Sequence, residues 1–221
     1  KNLIAPVPVV RLVLDFEELS DLSPARVGPK FIAILMEFLS ELDANGGEVA
    51  NGEESFASAL GQDDSLRLGH VVVRIALALQ RVAGAEVSYA AVNTDTGEAS
   101  DRQEIIYAHW GGEFGVVAGR AAFFAVGKLL RISGLGGDAR EPGSGAVDHG
   151  RKLVSFFRVQ WLDISTAALV REAVKRGIPW RRVSPEGRFV QFGHGRFQKI
   201  IHETVTQRTS SNSAWMSRNK A

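Results

Sequence analysis

The densest chemistry in this chain lies in Gly193-His194-Gly195-Arg196-Phe197-Gln198-Lys199, where two glycines, an imidazole and two cations share seven residues. Glycines ahead of a helix N-terminus favour anions, so a phosphate-contacting loop is one reading. The segment lacks the G-K-[ST] ending of a P-loop and the spacing of G-x-G-x-x-G, and a structural strand-to-helix turn is the favoured alternative. Ser, His and Asp are all present, yet no G-x-S-x-G elbow organises them, and Gly143-Ser144-Gly145 reads as flexible spacing. No catalytic residue is therefore assigned. His109, His149, His194 and His202 show no ligand spacing with His70, so no metal site is assigned either. The absence of cysteine excludes disulfides and thiolate sites and points to a reducing, cytoplasmic setting.

These residues must be held by elements that the pattern predicts. Val7 to Phe16 is rich in Val and Leu, as a buried strand would be. A helix over 28–43 places Phe31, Ile32, Leu35, Met36 and Leu39 on one broad apolar face. Residues 43–65 read as a polar loop around one short helix, and 65–83 as a helix apolar on most sides. Strands near 85–92 and 103–109 follow, joined by Asn93 to Asp101 with a turn at Thr96-Gly97. The helix 112–132 carries Ala118-Gly119-Arg120-Ala121-Ala122, small residues that permit close approach to a sheet. The expected fold class is α+β, an antiparallel sheet with helices on one face.

The rest of the chain reads as a separate piece. Glycine-rich residues 133–150 form a linker and a helix over 151–159 bridges onward. Ser165 suits the N-cap of a helix over 166–176 that closes at Gly177. Strands 178–183 and 188–192 with a helix 196–208 complete a small α/β piece. The expected division is 1–132, 133–160 and 161–221.

Charge divides along the same line. Residues 1–160 carry 15 Lys and Arg against 21 Asp and Glu, whereas residues 161–221 carry 11 against 4. The basic portion reads as a surface that lies against further protein, or as an anion site. Nucleic acid is disfavoured, because few aromatics interleave the arginines. No apolar run reaches the roughly 18 to 20 residues that span a bilayer, which excludes a membrane helix. The chain begins at Lys1 and not Met, which suggests a fragment.

Longer motifs carry a resemblance. Arg176-Gly177-Ile178-Pro179-Trp180, Val190-Gln191-Phe192-Gly193-His194-Gly195, Gln198-Lys199, Thr204-Val205-Thr206 and Thr209-Ser210 occur in an order that resembles the start of the ATP-grasp region of cyanophycin synthetases. Members of that family read R-G-I-P-W, V-Q-L-G-Y-G, Q-K/R and A-T-V-T-D-x-T-S. Upstream, Leu68-Gly69-His70-Val71-Val72-Val73-Arg74-Ile75-Ala76-Leu77-Ala78-Leu79-Gln80 resembles the family's M/L-G-H-x-x-E-H-V-A-L-E-L-Q.

The resemblance implies an N-terminal domain followed by an ATP-grasp ligase domain and a Mur-ligase-like domain. Such an enzyme uses ATP and Mg²⁺ to extend a polyaspartate backbone and attach arginine, so aspartate, arginine and a cyanophycin-like polyamide are the implied substrates and partners. This chain corresponds to the first domain, which would hold the growing polymer, and to a truncated opening of the second, a pre-ATP-grasp piece. It is expected to be inactive alone and to carry no cofactor itself, and whether it forms a homo-oligomer stays open. Many relatives carry H-x-x-E-H, which resembles a zinc-hydrolase ligand set. Here Val73 stands for the glutamate and Arg74 for the second histidine, so a cation replaces a ligand and no general base remains. His70 and Arg74 stand as substrate-binding candidates, His70 otherwise being a hydrogen-bonded core or cleft histidine. Ser165 is a third candidate, since it matches the serine of the family's G-P-S-T near the growing chain, although Asp163-Ile164 precede it here. A stand-alone, non-catalytic binding or regulatory homologue is the alternative reading.

Overall fold

The computed structural model describes residues 5, 7–47, 56, 59–93, 102–135, 144–160, 162–183, 189–202, 205–206 and 208–210. The chain is α+β and folds as two units, Lys1–Val159 and Gln160–Ala221.

In the first unit, β1 (Val9–Asp15) and β2 (Ala90–Asn93) flank β3 (Arg102–Ala108), all antiparallel, in the order β1-β3-β2. The register sets Val10 opposite Tyr107, Leu12 opposite Ile105 and Leu14 opposite Gln103. Side chains alternate along a strand, so these six share one face, which the helices cover; Arg11, Val13 and Glu104 share the other. A single turn, α1 (Pro24–Val27), leads into α2 (Pro29–Leu42), and α3 (Leu68–Val82) and α4 (Gly112–Ser133) pack on the sheet. The apolar face of α2 is rotated from the expected one: Phe31, Ile34, Leu35, Phe38, Leu39 and Leu42 are buried, while Met36 is exposed. Both neighbouring faces of that helix are apolar, and packing chose between them.

Two glycines let α4 approach the sheet. A Cβ on Gly115 would lie 2.8 Å from Val10 Cγ2, and one on Gly119 would fall on the Tyr107 hydroxyl and 2.6 Å from Leu12 Cδ1. Any side chain there would push the helix off β1 and β3. The buried Tyr107 hydroxyl donates to the Gly115 carbonyl at 2.7 Å, which satisfies it without water.

The helix expected over 151–159 begins earlier, as α5 (Ser144–Gln160). Residues 144–150 of the expected linker are therefore helical, including Ser144 and Gly145; residues 136–143 lie outside the described set, as does the Thr96-Gly97 turn. The cause is burial: Ala146, Val154 and Phe157 are buried along one face, and Phe157 meets Phe114 edge-on with ring centroids 5.5 Å apart. Gly150 sits against Phe38 and Glu41, and the His149 ring stacks on Phe38. Among the described residues no helix is long and apolar enough to cross a membrane.

The second unit comprises α6 (Ile164–Lys175) and four antiparallel strands in sequence order, β4 (Trp180–Arg182), β5 (Phe189–Phe192), β6 (Lys199–His202) and β7 (Val205–Thr206). The helix expected over 196–208 is absent from the described part of that range. A 3₁₀ turn over Gly195–Phe197 leads directly into β6. Ile200 and Ile201 are β-branched, and pairing Ile201 with Val190 buries both, which outweighs any local helical preference. Gly177 adopts φ +66°, as expected of a left-handed cap.

Candidate functional site: a histidine and arginine cleft

Helix α3 is the most buried element of the first unit, and its position is set at its first turn. Gly69 presses on Val92 and Ile105, while its N–H donates to Gln103 Oε1 at 2.8 Å. The other end of that buried amide, Gln103 Nε2, donates to the Ser20 carbonyl at 2.6 Å. Gln103 thus pins the start of α3 to β3 and to the segment after β1. At the other end of α3, Gln80 Nε2 reaches the Ala108 carbonyl at 3.1 Å. Gln80 closes the sequence motif that opens at Leu68, where its only signal is a polar residue ending an apolar run; Gln103, between Arg102 and Glu104, gives no sequence signal at all.

With α3 held this way, His70, Val73, Arg74 and Leu77 fall on one stripe at i, i+3, i+4 and i+7. The stripe faces β2 across a cleft of about 370 Å³, also lined by Phe56, Leu66, Ser88 and Ala90 to Val92. The structure therefore brings two of the three sequence-predicted residues into one site. Ser165 belongs to the second unit.

His70 is half-buried and its Nδ1 accepts the Arg67 N–H at 3.0 Å, capping the first turn of α3. Burial holds its imidazole below the ordinary histidine value, so the ring is neutral. Arg74 is engaged elsewhere: its Nη2 donates to both carboxylate oxygens of Asp43, at 2.8 and 3.0 Å, and its Nη1 lies 3.5 Å from the Gly47 carbonyl. The pair is largely buried and ties α3 to the end of α2. Where H-x-x-E-H would hold a metal, this chain has a neutral imidazole, an isopropyl group and a guanidinium committed to a carboxylate. Among the described residues no cluster of three or more His, Cys, Asp or Glu side chains is placed to hold a metal ion.

In the second unit the N-cap of α6 is Asp163 and not Ser165, a correction to the expected cap. Asp163 Oδ1 accepts from the N–H groups of Ser165 and Thr166, each at 3.0 Å, and holds the helix start two residues earlier. Ser165 is exposed and its hydroxyl is not needed for the cap. The Gly193 to Gly195 turn uses positive φ at both glycines, with the Gly193 N–H donating to the Pro179 carbonyl at 2.7 Å. It joins two strands through a 3₁₀ turn, which corrects the expected strand-to-helix turn, so no long helix N-terminus faces it.

A three-stranded antiparallel sheet covered on one face by helices, with an H-x-x-V-R stripe in a cleft against β2, defines an α+β domain. Residues 11–131 match the cyanophycin synthase-like N-terminal domain family, and the chain belongs to that family. Along 197 residues, 89% of its length, it is 29% identical to the cyanophycin synthetases of Trichormus variabilis and of a Nostoc species, covering 20% of each. The cyanophycin synthetase of Geminocystis herdmanii is 26% identical along 208 residues, 91% of this chain and 22% of that protein. The chain thus spans about a fifth of the length of the curated relatives it matches.

Proposed function

We propose that this chain is the N-terminal part of a cyanophycin synthetase-like, ATP-dependent ligase that extends a polyaspartate backbone and attaches arginine, and that its first unit holds the growing polymer. The family match over residues 11–131 is the observation that carries the reading. ATP and Mg²⁺ would serve other parts of such an enzyme. The second unit is proposed as the opening of its ATP-grasp domain, on the strength of the similarity that runs past residue 131.

Charge supports the holding role. Glu17, Glu18, Asp21 and Glu37 are exposed on the acidic first unit. Glu17 also borders a groove of about 810 Å³ that carries Lys128 and Arg131 on its far wall. Arginine joined through its amine keeps both a guanidinium and a carboxylate, so a groove of mixed sign suits it. Each exposed pair contributes only about 0 to 1 kcal/mol, so useful affinity requires several contacts along one chain.

Titration of arginyl-polyaspartate segments of increasing length, at low and high salt, tests this. Saturable binding that strengthens with length and weakens with salt is expected. No saturable binding at low salt, or binding indifferent to both variables, would mean that the domain holds something else.

A further inference from the structure

Strand β1 pairs with β3 along one edge, and among the described residues no strand pairs with the other. The ladder shows which backbone groups that edge offers. His109 donates to the Pro8 carbonyl at 3.2 Å, so residues in step with Pro8, namely Val10, Leu12 and Leu14, exchange hydrogen bonds with β3. Val9, Arg11, Val13 and Asp15 turn their N–H and C=O groups to the open side. Next to it, α4 exposes Val116, Val117 and Phe124, the last 68% accessible. A groove of about 310 Å³ runs between Leu12 to Asp15 and the Gly119 to Phe124 side of α4.

We propose that this edge joins a second copy of the chain, β1 pairing antiparallel with the partner's β1 across a two-fold axis at Val13 to give a continuous six-stranded sheet. Charge selects the occupant and the register. With the axis at Val13, Arg11 stands opposite the partner's Asp15 and Asp15 opposite the partner's Arg11. An axis at Arg11 or at Asp15 sets like charges against each other, and one at Leu12 or Leu14 sets a charged residue against Val13. Within one chain Arg11 already pairs with Glu104, and Asp15 lies 3.7 Å from Arg102. The join completes a row of alternating sign across four strands: Arg102, Asp15, the partner's Arg11, the partner's Glu104.

Helix geometry agrees independently. Gly115 sits over Val10 and Gly119 over both Leu12 and Tyr107, so α4 runs parallel to β1 and straddles β1 and β3. Strands are about 4.8 Å apart, which puts α4 and the partner's α4 roughly 10 Å apart across the axis, the separation of packed helices. At about 1.5 Å rise per residue, an antiparallel pair centred near Arg120 brings Val116 to the partner's Phe124. Arg120 meets its own copy at the axis, with a stem long enough to carry the charge to water.

Charged residues on an edge strand also serve to prevent pairing, and a mixing experiment separates the two roles. Sedimentation of this chain is expected to show a dimer. Arg11→Asp sets carboxylates against each other at both ends of the join, and Asp15→Arg does the same with guanidiniums. Each variant should keep its circular dichroism and lose at least about tenfold in dimer affinity. The two variants mixed in equal amounts are complementary at both ends and should form the heterodimer. Val13→Pro, which removes an open-edge N–H and no β3 hydrogen bond, should also yield monomer. A monomeric parent chain, single variants that dimerise like the parent, or a mixture that stays monomeric overturns the proposal.

Discussion

Arg74 and Asp43, 31 positions apart in sequence, form a hydrogen-bonded ion pair at 2.8 and 3.0 Å that fastens α3 to the end of α2. The residue at the second-histidine position of the related motif is thereby a structural tie.

Removing one member of that tie should cost more than removing both. Loss of one partner from a fully buried pair costs about 3 to 5 kcal/mol, and Asp43, 23% exposed, brings the expectation for Arg74→Met to about 2 kcal/mol. Adding Asp43→Asn to it should recover part of the loss. Urea unfolding of the single and double variants measures this. Equal stability of Arg74→Met and the parent chain would remove the structural role.

Acid should destabilise the first unit through its two half-buried imidazoles. Burial lowers the proton affinity of both His70 and His109 in the fold. As pH falls below about 6.5 the unfolded chain takes up protons that the folded chain resists, so stability is lost on acidification and flat above that value. His70→Gln keeps an acceptor for the Arg67 N–H and removes one titrating group. Its Tm should fall less than that of the parent between about pH 7.5 and about pH 5.5, with the His109 share remaining. Parallel Tm profiles would exclude His70 as a contributor.

Two glycines of one helix should respond in opposite directions. Gly119→Ala drives a methyl into the Tyr107 hydroxyl, which cannot swing away without breaking its bond to the Gly115 carbonyl, and should lose about 2 kcal/mol. A Cβ added at Gly127 would meet nothing within 4 Å, so Gly127→Ala should be stabilising by about 0.5 to 1 kcal/mol through helix propensity alone. Thermal melts of the two variants decide it, and a stable Gly119→Ala would show that α4 can move off the sheet.

Features written in neighbouring positions or in short motifs are legible in the chain alone. The 3.6-residue periodicity places α2, α3 and α4 to within a few residues, because an amphipathic face is a local pattern. The motifs around His70 and His194 carry the family, and the altered positions Val73 and Arg74 already exclude the metal ligand set at that stripe. The remaining features depend on partners distant in sequence and emerge only from the folded arrangement. Asp43 defines the role of Arg74 from another helix, and Gln103 positions α3 from a strand. Phe38, packed on His149 and Gly150, holds residues 144–150 helical in spite of their glycines, and Val190 draws Ile201 into a strand where a helix was expected. Asp163 takes the cap from Ser165 because its carboxylate reaches two N–H groups at once. In each case burial or a hydrogen bond outweighs a local preference of well under about 1 kcal/mol per residue.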